Sequence, residues 1–277
     1  MRLKHFYLFT LCSVLALLSS CKDDDPSPLR FYDTEYEVPM GGKRYLGIES
    51  GNGDYSLEIK DARIASAGTE TGWSGVPAGR QIYVTGTLTG KTYLTVTDNV
   101  SMETCTLPIK VVDNYEDFRI IRGYRSTSSS DESSTLLPGI SDIFLINNSA
   151  RDVYFFKQGE QTAFSSGLEL ITHGMYKLEK EEGNNEKAIL TLTFAENKTT
   201  NASDHKFIVY GTSYLFHRLD KNLNLNWNTL PVEETRTSPA LPPAYTLEEI
   251  AEGVEPGKGK QLSFSLSISE IPTGILP

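Results

Sequence analysis

Side chains that could carry acid-base or metal chemistry are few in this sequence. Beyond residue 20 the histidines are His173, His205 and His217. None is followed four residues later by a histidine or an acid, as a helical zinc motif requires, so no metal site is predicted. Ser203-Asp204-His205 contains the residue types of a catalytic triad, but neighbouring side chains in an extended chain point apart.

Motifs of known catalytic sites are also missing. The sequence contains no Gly-x-Ser-x-Gly nucleophile elbow, phosphate-binding loop or dinucleotide fingerprint. Its many acids could supply the carboxylate pair of a glycosidase, but the sequence singles out no pair. We therefore expect a protein that is not an enzyme and that uses no cofactor.

Aromatic and amide side chains are the better candidates for a binding site. Trp227 lies among four asparagines, namely Asn222, Asn224, Asn226 and Asn228. Aromatic rings flanked by amides suit sugars, although most rings of a β protein fill its core. The predicted ligand-binding residues are Trp227, Tyr214, Asn226 and Trp73. Trp73 lies in a glycine-rich stretch and could form a patch with Tyr83.

Cys21 is the residue with the clearest predicted chemistry. It follows a basic start with Arg2 and Lys4, an apolar stretch of 13 residues from Phe6 to Leu18, and Ser19-Ser20. This is the layout of a signal peptide, and the stretch is shorter than the roughly 20 residues of a membrane-spanning helix. Leu18-Ser19-Ser20-Cys21 resembles the bacterial lipobox. The resemblance implies cleavage after residue 20 and lipid on Cys21, whose acyl chains would anchor the protein at about 0.8 kcal/mol per buried CH₂.

The charged residues after Cys21 bear on where the protein is held. Lys22, Asp23 and Asp24 resemble the surface-export signal of lipoproteins from gut Bacteroidota. The resemblance implies attachment to the outer membrane with the body facing outward. Alternatively, residues 21–29, which include Pro26 and Pro28, form only a disordered tether.

Composition limits the classes of partner. The 277 residues carry a formal net charge of −10, or −12 once Arg2 and Lys4 are removed, so nucleic acid is not an expected partner. The chain is 39% hydrophobic, and its length suits one or two domains. After processing, Cys105 is the one cysteine left besides Cys21, which rules out an intramolecular disulfide.

Residues 30–113 alternate between apolar and polar positions in short segments broken by glycines. Six or seven strands in this length predict a small β-sandwich. The segment resembles bacterial Ig-like domains of the intimin and Big-2 type in 50–55, in 61–65, and in 90–98 followed by 105–107. The resemblance implies a spacer or adhesive module in which Cys105 points inward.

Residues 114–277 form a second predicted domain, beginning where Asn114 to Phe118 breaks the preceding strand. Leu190, Leu192 and Phe194 alternate with threonines, as in an antiparallel sheet with one polar face. Gly183-Asn184-Asn185 is placed to turn a hairpin. The order of the segments 174–178, 189–194 and 207–210 resembles the meander of lipocalin-like lipoproteins, which implies an antiparallel barrel. A second sandwich is the alternative.

Two local predictions within the second domain concern its connections. The apolar run from Phe207 to Leu219 predicts strand, with His217 inside it. Further on, Thr246-Leu247-Glu248-Glu249 matches a helix capping box, and Gly253 could end the helix after about two turns. Residues 126–135, rich in serine, predict an exposed loop.

Together these patterns predict an all-β protein, with an Ig-like sandwich followed by a larger antiparallel barrel or sandwich that carries a short helix. The leading hypothesis is a lipid-anchored, outer-membrane protein that binds a glycan or a surface-protein partner without catalysis. A second hypothesis is a carrier of a small apolar ligand, with a cavity lined by Leu192, Phe194, Val209 and Leu266. A third is a structural subunit of a surface assembly.

Overall fold

The computed structural model describes residues 25–71, 80–121, 139–160, 167–181, 186–195, 201–230, 244–250, 253, 255–267 and 270–277. The signal peptide, Cys21, Lys22, Asp23, Asp24, Trp73, the serine-rich loop 126–135 and the turn at 183–185 lie outside these ranges. Residues 25–29 belong to the predicted tether, yet the Ser27 N–H donates to Asn52 Oδ1 (2.9 Å) and the Leu29 N–H donates to Glu103 Oε2 (2.6 Å). This part of the tether therefore lies against the first domain.

The described part of the first domain contains nine strands. They are β1 (Arg30–Phe31), β2 (Tyr36–Pro39), β3 (Lys43–Tyr45), β4 (Ile48–Ser50), β5 (Tyr55–Ile59), β6 (Ala65–Thr71), β7 (Arg80–Gly86), β8 (Gly90–Asp98) and β9 (Thr104–Val112). One sheet has the order β2-β9-β8-β5, a second has the order β3-β7-β6, and β1 pairs with β4. Strands β2 and β9 are parallel, and the other pairs are antiparallel.

Both sheets of the first domain contribute to one hydrophobic core, which makes the domain a sandwich. Leu94 and Val96 from one sheet and Ile82 and Val84 from the other are fully buried in the same cluster. These residues alternate with polar ones along the chain, which is the pattern from which the strands were predicted. Cys105 is half-buried and packs against this core, on the inner face as expected.

The second domain is a closed barrel of eight strands. They are β10 (Tyr115–Ile120), β11 (Asp142–Ile146), β12 (Asp152–Gln158), β13 (Leu168–Lys180), β14 (Lys187–Phe194), β15 (Ser203–Tyr210), β16 (Tyr245–Glu249) and β17 (Gln261–Ser267). Each strand pairs antiparallel with the next, and β17 returns to β10, with Phe118 opposite Leu266. The all-β class is confirmed, and the second domain is the barrel rather than a second sandwich.

The barrel interior is packed with side chains. Leu192 and Val209 are 0% exposed and Phe194 is 4% exposed within one hydrophobic cluster, against which the half-buried Leu266 packs. A void large enough for water would leave accessible surface on the side chains lining it. The cavity required by the carrier hypothesis is therefore filled at Leu192, Phe194 and Val209.

A helix, α1 (Ser213–Leu223), lies between β15 and β16. The prediction of continuous strand through His217 was wrong, because Thr212 caps a helix there and its side chain accepts from the Leu215 N–H (3.5 Å). The buried face of α1 joins the interior cluster of the barrel through Leu215, Phe216, Leu219 and Leu223. These positions have the spacing of a helix face, a signal that the strand prediction overlooked.

The helix predicted at Thr246–Glu249 was also wrong, since these residues belong to strand β16. Leu247 is fully buried in the barrel cluster, and β16 pairs with both β15 and β17. Without this strand the barrel would be left open at two edges. The pairing on both sides therefore outweighs a capping signal that is worth only about 1 kcal/mol.

Residues 270–277 pack on the outer face of the barrel and reach the first domain. Ile271 and Leu276 are buried in a cluster with Phe144 of β11 and with Val112 of β9. Lys110 Nζ donates to the Leu276 carbonyl (2.7 Å), and Arg44 forms an ion pair with Glu270 (3.1 Å). This segment therefore connects the two domains. None of the described residues forms a helix long and apolar enough to cross a membrane.

Candidate binding cleft beside helix α1

The three histidines lie apart in the structure. His173 stacks on Tyr154 in the wall of the barrel, with centroids 5.9 Å apart, and His205 stacks on Phe194 at 4.6 Å. His217 lies on α1, with Nδ1 3.3 Å from Thr229 Oγ1. Among the described residues, no group of three or more histidine, cysteine or acidic side chains is placed to hold a metal ion.

The side chains of Ser203, Asp204 and His205 in β15 point where strand geometry places them. Asp204 accepts a hydrogen bond from Thr193 Oγ1 (2.7 Å), whereas Ser203 Oγ lies 3.0 Å from His205 Nε2. Residues two apart in a strand share a face, so Ser203 and His205 meet while Asp204 points away. The neighbouring side chains therefore point apart as expected, and the contact between Ser203 and His205 joins residues two positions apart. The geometry still does not assemble a Ser-His-Asp triad.

The predicted aromatic residues occupy different positions from those expected. Trp227 is half-buried, and its ring packs against Phe216 with centroids 6.2 Å apart, so it anchors a loop rather than forming an open platform. Tyr214 lies in the first turn of α1 and hydrogen-bonds Arg218. In the sandwich, Lys43 Nζ lies over the Tyr83 ring, 3.9 Å from the ring centroid. Trp73 is outside the described residues.

Asn226 belongs to a group of asparagines that share an unusual backbone conformation. Asn224, Asn226 and Asn228 have φ values of 49°, 60° and 54°, in the left-handed region. Asparagine tolerates this region better than most residues. The three side chains are exposed, whereas the residues between them are half-buried. The alternation places three amides on the solvent side of the loop.

Asp220 of α1 holds this loop in place. Its carboxylate accepts from the N–H groups of Trp227 (2.9 Å) and Thr229 (2.9 Å) and from the Thr229 hydroxyl (2.8 Å). Burial opposes ionisation of Asp220, but the donors from Thr229 and Trp227 outweigh it and lower the pKa of the carboxyl. The ionised side chain therefore orders residues 227–229 against the helix.

Arg151, in the loop before β12, secures the other end of the asparagine loop. Its guanidinium donates to the carbonyls of Leu223 (2.5 Å) and Asn224 (3.1 Å). A cation at this end of a helix also interacts favourably with the helix dipole. Asp220 and Arg151 together pin the asparagine loop, which gives its amides fixed positions.

These elements enclose an open cleft of about 230 Å³. Its lining is mostly polar and consists of His217, Asp220, Lys221, Asn224, Asn226, Asn228 and Thr229. Each asparagine carries an acceptor oxygen and an amide NH₂ group, and Lys221 adds a cationic donor. Asn226 Nδ2 donates to the Asn224 carbonyl (3.5 Å) and Asn228 Nδ2 to the Asn226 carbonyl (3.4 Å), so one amide hydrogen of each is used within the loop. Such a surface is chemically matched to a ligand rich in hydroxyl groups.

Comparisons with known proteins add little to this description. No protein-family model matches the sequence, and no curated protein is significantly similar to it. Solved structures of the S-layer protein SbsC do match. Its domains 4 and 5 are 19% identical, with a TM-score of 0.24, over 31% of this chain and 51% of theirs. Domains 5–6 are 15% identical, with a TM-score of 0.25, over 66% of this chain and 90% of theirs.

This chain thus spans about half the length of the first of these structures. A longer SbsC structure, rSbsC(31-844), is 14% identical with a TM-score of 0.26, over 65% of this chain and 24% of its own. At these TM-scores the similarity assigns neither a fold family nor a function.

The sequence pointed to part of this cleft but missed the rest. Asn226 was predicted, and Asn224 and Asn228 were noted beside Trp227. His217, Asp220 and Lys221 were missed because the run ending at Leu219 was interpreted as strand, and residues three apart in a strand, such as His217 and Asp220, lie on opposite faces. The 3–4 spacing of the apolar residues in α1 was the signal that could have found them.

Proposed function

We propose that this protein is a lipid-anchored surface protein that binds a glycan in the asparagine-lined cleft and does not alter it chemically. The observation that carries the proposal is the set of three exposed amides, Asn224, Asn226 and Asn228, held at fixed positions beside Lys221. Sugar hydroxyls both donate and accept, as amides do. Amides that are already held in place lose less conformational entropy on binding than mobile side chains would.

The acids near the cleft favour binding over catalysis. Asp220 is the carboxylate that lines it, and this group already accepts three hydrogen bonds from the loop. Glycoside hydrolysis generally needs two carboxyl groups about 5–9.5 Å apart on either side of the bond. Among the described residues, the cleft lining offers a single acid, which already has a structural task, and this supports a role in recognition.

The anchor belongs to the same proposal. Cys21 would carry the lipid, and Lys22, Asp23 and Asp24 would direct export to the outer face of the outer membrane. The sandwich would then hold the barrel and its cleft away from the membrane.

The test is binding of neutral and acidic glycans on an array, followed by titration calorimetry with the full chain in detergent. Asn226→Gly and Asn228→Gly each remove an amide but allow the left-handed backbone, and the anchors Asp220 and Arg151 are kept. Each is expected to weaken binding about tenfold, the effect of losing one good hydrogen bond in a bound complex.

The matched control is Asn201→Gly, because Asn201 is exposed and does not line the cleft. This variant should bind like the wild type. If the wild-type chain bound no glycan, the proposal would be wrong. Equal losses in Asn201→Gly and Asn226→Gly would mean that any glycan binds elsewhere.

A further inference from the structure

A second cavity, of about 440 Å³, lies where the two domains meet. The sandwich contributes Met40, Gly41, Gly86 and Thr87 to its lining, and the barrel side contributes Asn114, Asn147, Lys221 and Asn222. This cavity is larger than the asparagine-lined cleft and, like it, is rich in amides. We call it the junction cavity.

Lys221 lines both the cleft and the junction cavity. It is exposed in the last turn of α1, and the next residue along the helix, Asn222, lines the junction cavity as well. The two hollows are therefore neighbours that share one side chain. Between them they present six asparagines, namely Asn114, Asn147, Asn222, Asn224, Asn226 and Asn228.

Hydrogen bonds within each of the two walls order the lining of the junction cavity. The Asn147 N–H donates to the Asn114 carbonyl (2.7 Å), and Asn114 Nδ2 donates to the Asn222 carbonyl (3.3 Å). On the sandwich side, the Gly41 N–H donates to the Gly86 carbonyl (2.9 Å). With Lys110 bonded to the Leu276 carbonyl, these contacts give the cavity a defined shape before any ligand binds.

We propose that the cleft and the junction cavity form one groove that binds a neutral oligosaccharide chain, with Lys221 at its centre and Thr87 of the sandwich contacting the distal sugars. This inference rests on the proposed function and extends it to ligand length and to the role of the first domain. The sandwich then contributes directly to the site as well as serving as a spacer.

Charge favours a neutral chain over an acidic one. Of the described residues that line the two hollows, Lys221 is the only lysine or arginine, and Asp220 lies next to it. The chain as a whole carries a formal charge of −10. A polyanion would be repelled at long range and would find a single cation in the groove.

The test is titration of the full chain with neutral gluco-, galacto- and manno-oligosaccharides from monosaccharide to hexasaccharide. Thr87→Trp places an indole ring in the junction cavity, whereas Thr89→Trp adds the same ring to the same exposed loop outside the lining. In the wild type, affinity should rise about tenfold or more once the chain is long enough to pass Lys221. Thr87→Trp should change binding of the long chains alone, and Thr89→Trp should behave like the wild type.

The outcomes separate this inference from the proposed function. No binding of any glycan by the wild type would remove both. Binding that does not increase with chain length would overturn the extended groove and leave the cleft. An effect of Thr87→Trp that is absent, or equal for short and long chains, would also overturn it. The melting temperature of each variant verifies that the two tryptophans leave the fold intact.

Discussion

Glu116 of β10 and Arg218 of α1 form an ion pair, with Arg218 Nε donating to Glu116 Oε1 at 3.0 Å. The Glu116 side chain is 1% exposed, and Asn222 Nδ2 donates to the same carboxylate oxygen. Burial raises the pKa of Glu116 above its usual value, even though Arg218 and Asn222 favour the charged form. The pair fastens the helix beside the asparagine-lined cleft to the first strand of the barrel.

Removing the cation from this pair should destabilise the protein strongly. Arg218→Met leaves a buried carboxylate without its counter-charge, and we expect a loss of about 3–5 kcal/mol in the free energy of unfolding, measured by urea denaturation. The double variant Glu116→Leu with Arg218→Met should recover most of that loss, because neither charge is then buried alone. A loss below about 1 kcal/mol in the single variant, typical of exposed pairs, would contradict this account.

The loop anchored by Asp220 should loosen in acid. The folded-state pKa of Asp220 lies below its unfolded value, so the ionised group stabilises the loop above the usual aspartate pKa of about 3.9. That stabilisation is lost as the pH falls through the lower folded-state pKa. The measurement is Trp227 fluorescence from pH 7 downwards in a Trp73→Phe background. Asp220→Asn should flatten the pH dependence, and an unchanged profile in that variant would assign the transition to other acids.

The segment 270–277 should contribute to the stability of the whole protein. Ile271 and Leu276 are 5% and 4% exposed and pack beside Phe144 and Val112. Ile271→Ala and Leu276→Ala should each cost about 2–5 kcal/mol, measured by chemical denaturation. The control is Leu230→Ala, since Leu230 is 80% exposed and its loss should stay within about 0.5 kcal/mol. Equal effects at Leu230 and Leu276 would show that the segment is not tightly docked.

Lipidation at Cys21 remains a prediction from the sequence. Wild-type cells fed an alkynyl fatty acid should incorporate label into the protein, and Cys21→Ser should abolish it, because serine cannot form the thioether. Cys105→Ser should keep the label, which makes it the matched control. Protease treatment of intact cells reports the face of the membrane. Protection of the body from protease would argue against the outward orientation implied by Lys22, Asp23 and Asp24.

The strands were predictable wherever apolar and polar residues alternate along the chain, because the alternation shows which side chains face the core. Leu190, Leu192 and Phe194 alternate with threonines, and in the barrel they alternate between interior and surface. The same holds for Leu94 and Val96 in the sandwich. Successive side chains in a strand point to opposite faces, so the order of residues along the chain is enough to predict which face each side chain lies on.

Local signals failed where two conformations compete for the same residues. Thr246–Glu249 has a helix capping pattern, but pairing on both sides makes it strand β16. Closing the barrel satisfies a whole row of backbone groups, and a capping interaction cannot match that gain. Conversely, α1 formed where a run of apolar residues had suggested strand.

The sequence by itself determined the all-β class, the alternation of core and surface positions, and the asparagines around Trp227. Only the tertiary structure decided that the barrel closes, that its interior is filled, and that Trp227 is an anchor while the asparagines face solvent. It also brought Thr87, Asn147 and Lys221 together in the lining of one cavity. The physical reason is range: alternation and turn preferences act between neighbouring residues, whereas a groove depends on contacts between segments far apart in the chain.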